Sequence, residues 1–315
     1  MTGVRKLGDP TRATLSDVWA LGSISKSFTS TLLARLVEQK KLRWNSTLLE
    51  LFPEVPMRPE YKAVTLEMLL AHRSGLPIAQ TADLLRWHTS STPYAQQRGE
   101  FVKTWLEQAP LFKPGSKAQY SNEGYILAAI VAERLTGLTW DKALEKEVFG
   151  PLNLKSAGVG VAWPLETVTQ PWPHYAQKSA EPGKAFQAVP PTAQAGNSPM
   201  FNGADNVRMS LPDLMKYARA HLSGEKGQGG LLTAATFQRL HRAPFGDEYA
   251  LGWIRSPDGK AFFHNGSNTL NYALVLINVP ASQIALTATN AVSEQTEPRL
   301  VQLLTEVARS SVPAK

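Results

Sequence analysis

Ser23 and Lys26 stand three positions apart in Ser23-Ile24-Ser25-Lys26, a spacing that can make a hydroxyl nucleophilic without histidine. On a helix both side chains leave the same face, so the lysine amine reaches the serine oxygen. A serine hydroxyl attacks well only when a neighbouring base takes its proton, and a lysine does so where burial or nearby cations depress its pKa. The burial is written into the next stretch. Phe28, Leu32, Leu33, Leu36 and Val37 form an apolar stripe that predicts a buried helix with Ser23 at its start. The serine N–H at such a start points outward, available to an oxyanion.

Spacing alone does not specify this chemistry, since the same pattern occurs on solvated helix faces and recurs here as Ser223-Gly224-Glu225-Lys226. That copy belongs to a glycine-rich polar run, His221 to Gly230, which reads as a surface loop without a helix to fix the pair. Two further motifs distinguish the first copy. Tyr120-Ser121-Asn122 follows a turn at Lys113-Pro114-Gly115-Ser116 and precedes an apolar helical run, so it is read as a loop held by rigid structure. A phenol beside an ammonium can act as general base, and the Asn122 amide can hold both the lysine and a substrate carbonyl. A buried tyrosine with a turn asparagine would read the same way. His264-Asn265-Gly266-Ser267 ends a predicted strand, where glycine admits a substrate backbone and the Ser267 N–H joins that of Ser23 as an oxyanion donor. Asn-Gly is also a hairpin signal.

The elements that must position these residues fall into three stretches. From Ser23 to about Gly150 helical patterns dominate, including residues 65–72, stopped by Ser74-Gly75-Leu76-Pro77. Gly124 to Leu135 is nearly all apolar with Gly137 in the place of a cap, which predicts a buried helix. Prolines and glycines crowd residues 161–206 and predict long surface loops. After a helix near 211–221 come four β-rich runs at 249–255, 261–264, 272–279 and 283–289, whose short connections imply an antiparallel meander. A last helix, about 298–310, is expected to cover one sheet face through Leu300, Leu303, Leu304 and Val307.

A chain of 315 residues exceeds what one core usually supports, so two lobes around a cleft are expected. With 43% hydrophobic and 19% charged residues the composition is that of a soluble globular protein, and no apolar run is long enough to span a bilayer. The net charge of +7 is scattered rather than gathered into a stripe, which speaks against nucleic-acid binding. Absence of cysteine excludes thiol catalysis and disulfides. The six histidines form no ligand cluster, so no metal and no cofactor are expected. Residues 1–21 contain no sustained apolar core of the kind a secretory signal needs, and the compartment stays open.

Taken in order, Ser23-Ile24-Ser25-Lys26, Tyr120-Ser121-Asn122 and His264-Asn265-Gly266 resemble the class C β-lactamase-like serine hydrolases. That superfamily includes class C β-lactamases, D-alanyl-D-alanine carboxypeptidases, D-aminopeptidases and family VIII carboxylesterases. The resemblance runs from about Gly22 to Asn290, also through residues 69–77 and 149–154. It implies an α/β (α+β) fold of the β-lactamase/transpeptidase type, an antiparallel sheet flanked by helices plus a mostly helical lobe. Residues 1–30 with 207–315 would form the sheet domain and 31–206 the helical domain. It implies that Ser23 is acylated, that Lys26 and Tyr120 handle its proton, and that Asn122 and the strand from His264 to Ser267 position substrate.

Two departures bear on function. Many relatives carry Lys-Thr-Gly where this chain has His264-Asn265-Gly266, and a largely neutral histidine attracts a substrate carboxylate less than lysine does. This favours a carboxylesterase acting on short acyl esters over a β-lactamase or D-alanyl-D-alanine carboxypeptidase using the same site on amides. A catalytically silent ligand sensor is a third reading. Relatives also begin well upstream of the serine, whereas 22 residues precede Ser23 here. Val4-Arg5-Lys6 could form one strand, and an edge left open predicts a rearranged edge or a homo-oligomer.

Overall fold

The chain enters the Ser23 segment from a short strand and leaves it as a buried helix, and the remaining elements close around that junction. The structure, a computed structural model, describes residues 1–160, 166–176, 186–192 and 195–310, with side chains through residue 303. In chain order the helices are α1 (Ser25–Glu38), α2 (Leu48–Leu51), α3 (Leu66–Leu70), α4 (Thr81–Thr89), α5 (Tyr94–Glu107), α6 (Asn122–Thr136), α7 (Trp140–Leu144), α8 (Leu211–Glu225), α9 (Ala234–Leu240) and α10 (Thr296–Ser310). The strands are β1 (Val18–Ala20), β2 (Gly158–Val159), β3 (His174–Ala176), β4 (Phe186–Ala188), β5 (Val207–Ser210), β6 (Ile254–Arg255), β7 (Ala261–Ser267), β8 (Tyr272–Asn278), β9 (Gln283–Thr289) and β10 (Ala291–Val292).

The expected antiparallel meander is present as the sheet β6-β7-β8-β9. Its register pairs Ser267 with Tyr272 and Tyr272 with Thr289. Strand β7 runs past the Asn-Gly pair to Ser267, and the turn falls at 268–271, where Asn268 Oδ1 accepts the Leu270 and Asn271 N–H groups. Because β6 pairs only with Phe262 and Phe263, residues 264–267 keep one edge facing away from the sheet. Residues 249–253, read from sequence as part of a strand, instead form a tight turn closed by Ala250 N–H to Trp253 O at 2.7 Å. Gly252 there, at φ +85°, presses on α1: a Cβ would lie 2.9 Å from Lys26 O. Two smaller sheets, β1-β5-β2 and β10-β3-β4, complete the strands, so the 161–206 segment is not loop throughout. Its residues 161–165, 177–185 and 193–194 lie outside the described residues.

Helices α1 and α6 pack together and are buried nearly all round, as their apolar composition predicts. Ser121 caps α6 by accepting the Gly124 N–H at 3.1 Å, and Gly137 ends it in the left-handed region at φ +68°. Three expectations are corrected. Ser223 and Gly224 belong to α8, since Gly224 lets the helix meet Phe237 where a Cβ would come within 2.3 Å; Lys226 turns away to Ser282. Val4 forms an isolated bridge with Arg12 rather than a strand, and Arg5 folds back onto buried Asp17 at 2.6 Å. Leu303 is 50% exposed, so it does not help α10 cover the sheet. The side chains of Leu304 and Val307 lie outside the described residues. No helix among the described residues is long and apolar enough to cross a membrane.

A buried cation organises the helical side. Arg98 of α5 pairs with Glu133 of α6 at 3.2 Å and donates to the carbonyls of Met200 and Asn202. Glu133 also accepts the Tyr94 hydroxyl and the Trp140 N–H. Removing one partner leaves the other charge buried without compensation. Arg98→Ala is therefore expected to destabilise the fold by about 3–5 kcal/mol in urea unfolding. A loss below about 1 kcal/mol would show that solvent can replace the guanidinium.

Candidate active site

Ser23 sits in a 3-10 turn, Gly22–Ile24, between β1 and α1. Ser25 locks this turn to β5 by donating to Gly22 O at 2.6 Å and accepting the Val207 N–H at 3.0 Å. The same packing lays residues 203–207 along α1, with Thr29 donating to Gly203 O. Lys26, one turn on, is completely buried. Its Nζ lies 3.0 Å from Ser23 Oγ, 2.8 Å from Asn122 Oδ1 and 3.0 Å from Ala204 O. Asn122 Oδ1 and the Ala204 carbonyl can only accept, whereas the serine hydroxyl can also donate. Lys26 Nζ donates to all three oxygens, and of these the serine hydroxyl alone carries a proton of its own. The arrangement thus contains a ready path for the serine proton.

Tyr120 is 46% exposed at the mouth of the cleft, and Lys26 Nζ is 4.7 Å from its ring centroid. Its hydroxyl forms no hydrogen bond with Ser23 or Lys26, so the phenol stands beside the pair rather than within it. Its ring is held by His72 at 4.4 Å and meets Tyr249 edge-on at 6.1 Å. His72, at φ +58°, fixes this loop twice: its carbonyl accepts the Gln119 N–H and its Nδ1 accepts the Ser121 N–H at 3.1 Å. The lone histidine between Ala71 and Arg73 carried no sequence signal for this contact. Nor did the Ala204 carbonyl, since a backbone oxygen leaves no trace in residue type.

The glycines bring β7 against the serine turn. Gly22, at φ +54°, lies where a Cβ would be 2.3 Å from Ser267 N, and a Cβ on Gly266 would be 2.1 Å from Leu21 O and 2.5 Å from Ser23 N. The N–H groups of Ser23 and Ser267 are thereby set on neighbouring stretches of backbone, the layout an oxyanion hole requires. His264 differs from the expectation of a substrate-facing side chain. It is buried, Nδ1 is 2.6 Å from Asn265 O, and Nε2 is 2.9 Å from the Tyr249 hydroxyl. The carbonyl can only accept, so Nδ1 carries the proton and Nε2 accepts from Tyr249. Burial, reinforced by Lys26, pushes the His264 pKa down to about 3, so the ring is neutral at pH 7. Asn265 donates from Nδ2 to Glu297 at 3.1 Å, and Ser267 Oγ accepts the Thr269 N–H. Ser23, Tyr120 and residues 264–267 share one cleft of about 630 Å³. No cluster of His, Asp or Glu able to hold a metal occurs among the described residues.

The beta-lactamase family's sequence profile matches residues 1–308. The chain belongs to the beta-lactamase family. It is 24% identical over 271 residues to the D-alanyl-D-alanine-carboxypeptidase/endopeptidase AmpH of Escherichia coli K12, which covers 80% of this chain and 64% of AmpH. The chain thus spans less than two thirds of that relative's length. Its fold is similar to that of the octameric penicillin-binding protein homologue from Pyrococcus abyssi, with a TM-score of 0.76 at 20% identity over 97% of this chain and 69% of that one. The D-amino acid amidase from Ochrobactrum anthropi SV3, complexed with L-phenylalanine amide, superposes with a TM-score of 0.76 at 19% identity, covering 98% and 89% of the two chains. The mixed α/β fold is that of the β-lactamases and penicillin-binding proteins.

Two predictions follow from this packing. Gly266→Ala must push β7 off the serine turn, and because small misplacements at a reacting centre cost about 10²-fold, any Ser23-dependent turnover should fall by that order while the circular dichroism spectrum is kept. Unchanged turnover would mean that the two backbones need not touch. The second concerns acid. Burial depresses the pKa values of His72, His264, His221 and His241 below 6.5, so below that pH the unfolded chain takes up protons that the folded one refuses. Asp205, raised by burial to about 6, works in the opposite direction but is one group against four. The thermal midpoint should therefore be lower at about pH 5 than at about pH 7.5; an equal or higher midpoint would contradict this balance.

Proposed function

We propose that the protein acts through a Ser23 acyl-enzyme as a carboxylesterase on short acyl esters. The observation that carries this reading is the 3.0 Å approach of the buried Lys26 Nζ to Ser23 Oγ. In the proposed cycle the Ser23 proton passes to Lys26 as Oγ bonds to the ester carbonyl carbon, and the N–H groups of Ser23 and Ser267 receive the developing oxyanion. Collapse breaks the bond to the alcohol, which takes the proton back from Lys26, with Tyr120 at the mouth of the cleft assisting the transfer. Water then attacks the acyl-serine, giving up a proton to the same base, and the acid leaves as Ser23 recovers its hydrogen. Asn122 holds Lys26 in line throughout.

A neutral His264 supports esters over substrates that must be gripped by a carboxylate. A β-lactamase or D-alanyl-D-alanine carboxypeptidase would use the same nucleophile on amides, but among the described residues no lysine or arginine lines the cleft to meet a substrate carboxylate. Self-association is a separate reading: among the described residues no strand pairs with the outer side of β9, which leaves an edge open to a second copy.

Ser23→Ala and Lys26→Met should each lower turnover of 4-nitrophenyl acetate and butyrate by at least about 10²-fold. A phosphonate ester should add once, at Ser23, in a peptide mass map. Ester turnover equal in wild type and Ser23→Ala, or labelling elsewhere, would remove the proposal; nitrocefin turnover far above ester turnover would replace it with the β-lactamase reading.

A further inference from the structure

Three backbone positions around the cleft are held in a conformation that side chains disfavour. Among the described residues other than glycine, Lys40, His72, Asn153, Asn206, Thr269 and Ser282 have φ between +53° and +81°. Three of these stand on the segments that deliver the site. His72 fixes the loop that carries Tyr120, Asn206 follows the Ala204 carbonyl by two residues, and Thr269 follows the Ser267 N–H by two. Asparagine and histidine enter the left-handed region with some ease, whereas a β-branched residue there is an outlier. Thr269, at φ +72°, is the β-branched member of the set. Such strain persists only where the surroundings impose it, and it gathers at functional sites.

Hydrogen bonds in the β7–β8 turn impose it here. Asn268, 7% exposed, takes the Leu270 N–H at 3.2 Å, the Asn271 N–H at 2.8 Å and the Asn271 side-chain amide at 3.2 Å on one oxygen. Thr269 adds two bonds of its own: its N–H donates to Ser267 Oγ at 3.0 Å and its hydroxyl to Asn268 O at 2.5 Å. The Ser267 side chain is thereby engaged by the turn. Its main-chain nitrogen faces the serine turn instead, where a Cβ on Gly22 would lie 2.3 Å away. A glycine at 269 would reach the same φ without strain, but it would lack the hydroxyl bond and leave more backbone states open to the turn.

We infer that Thr269 is a positioning residue whose strained, doubly hydrogen-bonded conformation holds the Ser267 N–H in place as an oxyanion donor. Relieving the strain then loosens that donor, so turnover falls while the fold gains stability. Thr269 lies outside the cleft lining and acts through Ser267. This rests on the Ser23 acyl-enzyme reading and adds a residue to its oxyanion step.

The test measures 4-nitrophenyl butyrate kinetics and the thermal midpoint for wild type, Thr269→Gly and Thr269→Ser, with Ser23→Ala as the background. An oxyanion donor acts on the transition state, so Thr269→Gly should lower kcat by about tenfold while KM changes by less than about twofold. Its thermal midpoint should equal or exceed that of wild type, because the released left-handed strain outweighs the freedom that glycine adds to the unfolded chain. Thr269→Ser keeps the hydroxyl and should keep kcat within about twofold of wild type. Ser23-dependent turnover unchanged in Thr269→Gly would overturn the inference alone. A fall in kcat joined to a lower midpoint would overturn it too, since that is the pattern of a merely structural residue, and so would a Thr269→Ser as slow as the glycine variant. If wild type shows no Ser23-dependent turnover, the acyl-enzyme reading falls and this role falls with it.

Discussion

The structure depends on satisfying one buried amine. Lys26 has no access to water, so every hydrogen-bonding position on its nitrogen must be met by protein, and the three groups that meet it come from far-apart parts of the chain. Asn122 is fixed by the start of α6, Ala204 by the segment laid along α1, and Ser23 by the turn that precedes the lysine itself. An amine short of a partner would cost more than a typical hydrogen bond is worth, so these segments are constrained together. Two of the partners can only accept, so the serine hydroxyl is the one contact of Lys26 that also carries a proton.

The surroundings keep this centre free of competing cations. His264 and His72 lie within the field of Lys26, and both are held neutral chiefly by burial. Tyr249 then acts as a spacer, donating to His264 while packing 4.3 Å from the His72 ring. The carboxyl of Asp205, next to the carbonyl that Lys26 binds, is held above the usual carboxylate range by the same desolvation. On the helical side, Arg98 anchors residues 200–202 just before they pass beneath the lysine.

Much of this was legible in the residues. The Ser-Lys spacing followed by an apolar stripe specified α1, and Ser121 with Gly137 marked both ends of α6. The β8 and β9 runs matched because short runs rich in apolar and β-branched residues between turns read as strands. What was not legible depends on tertiary contact. Gly224 looked like a loop residue because its role is to admit Phe237, which lies in another helix. Residues 249–253 have strand propensity, but α1 presses them into a turn. His264 read as a substrate contact because sequence cannot tell a ring turned into the core from one facing solvent. Tyr120 was placed correctly near the lysine, but the ring contact with His72 that sets its angle has no local pattern.

Gly22 and Gly266 press together two segments separated by most of the chain's length. The proposed nucleophile is therefore a product of completed folding. A growing or partly folded chain holds the serine and lysine on one helical turn, but the second amide donor is absent until β7 has taken its register against β8. Such a chain carries an ordinary alcohol, inert toward the esters of its surroundings. Under the proposed acyl-enzyme reading, chemical reactivity at this position reports native topology, and an acylating probe would count finished molecules rather than total protein.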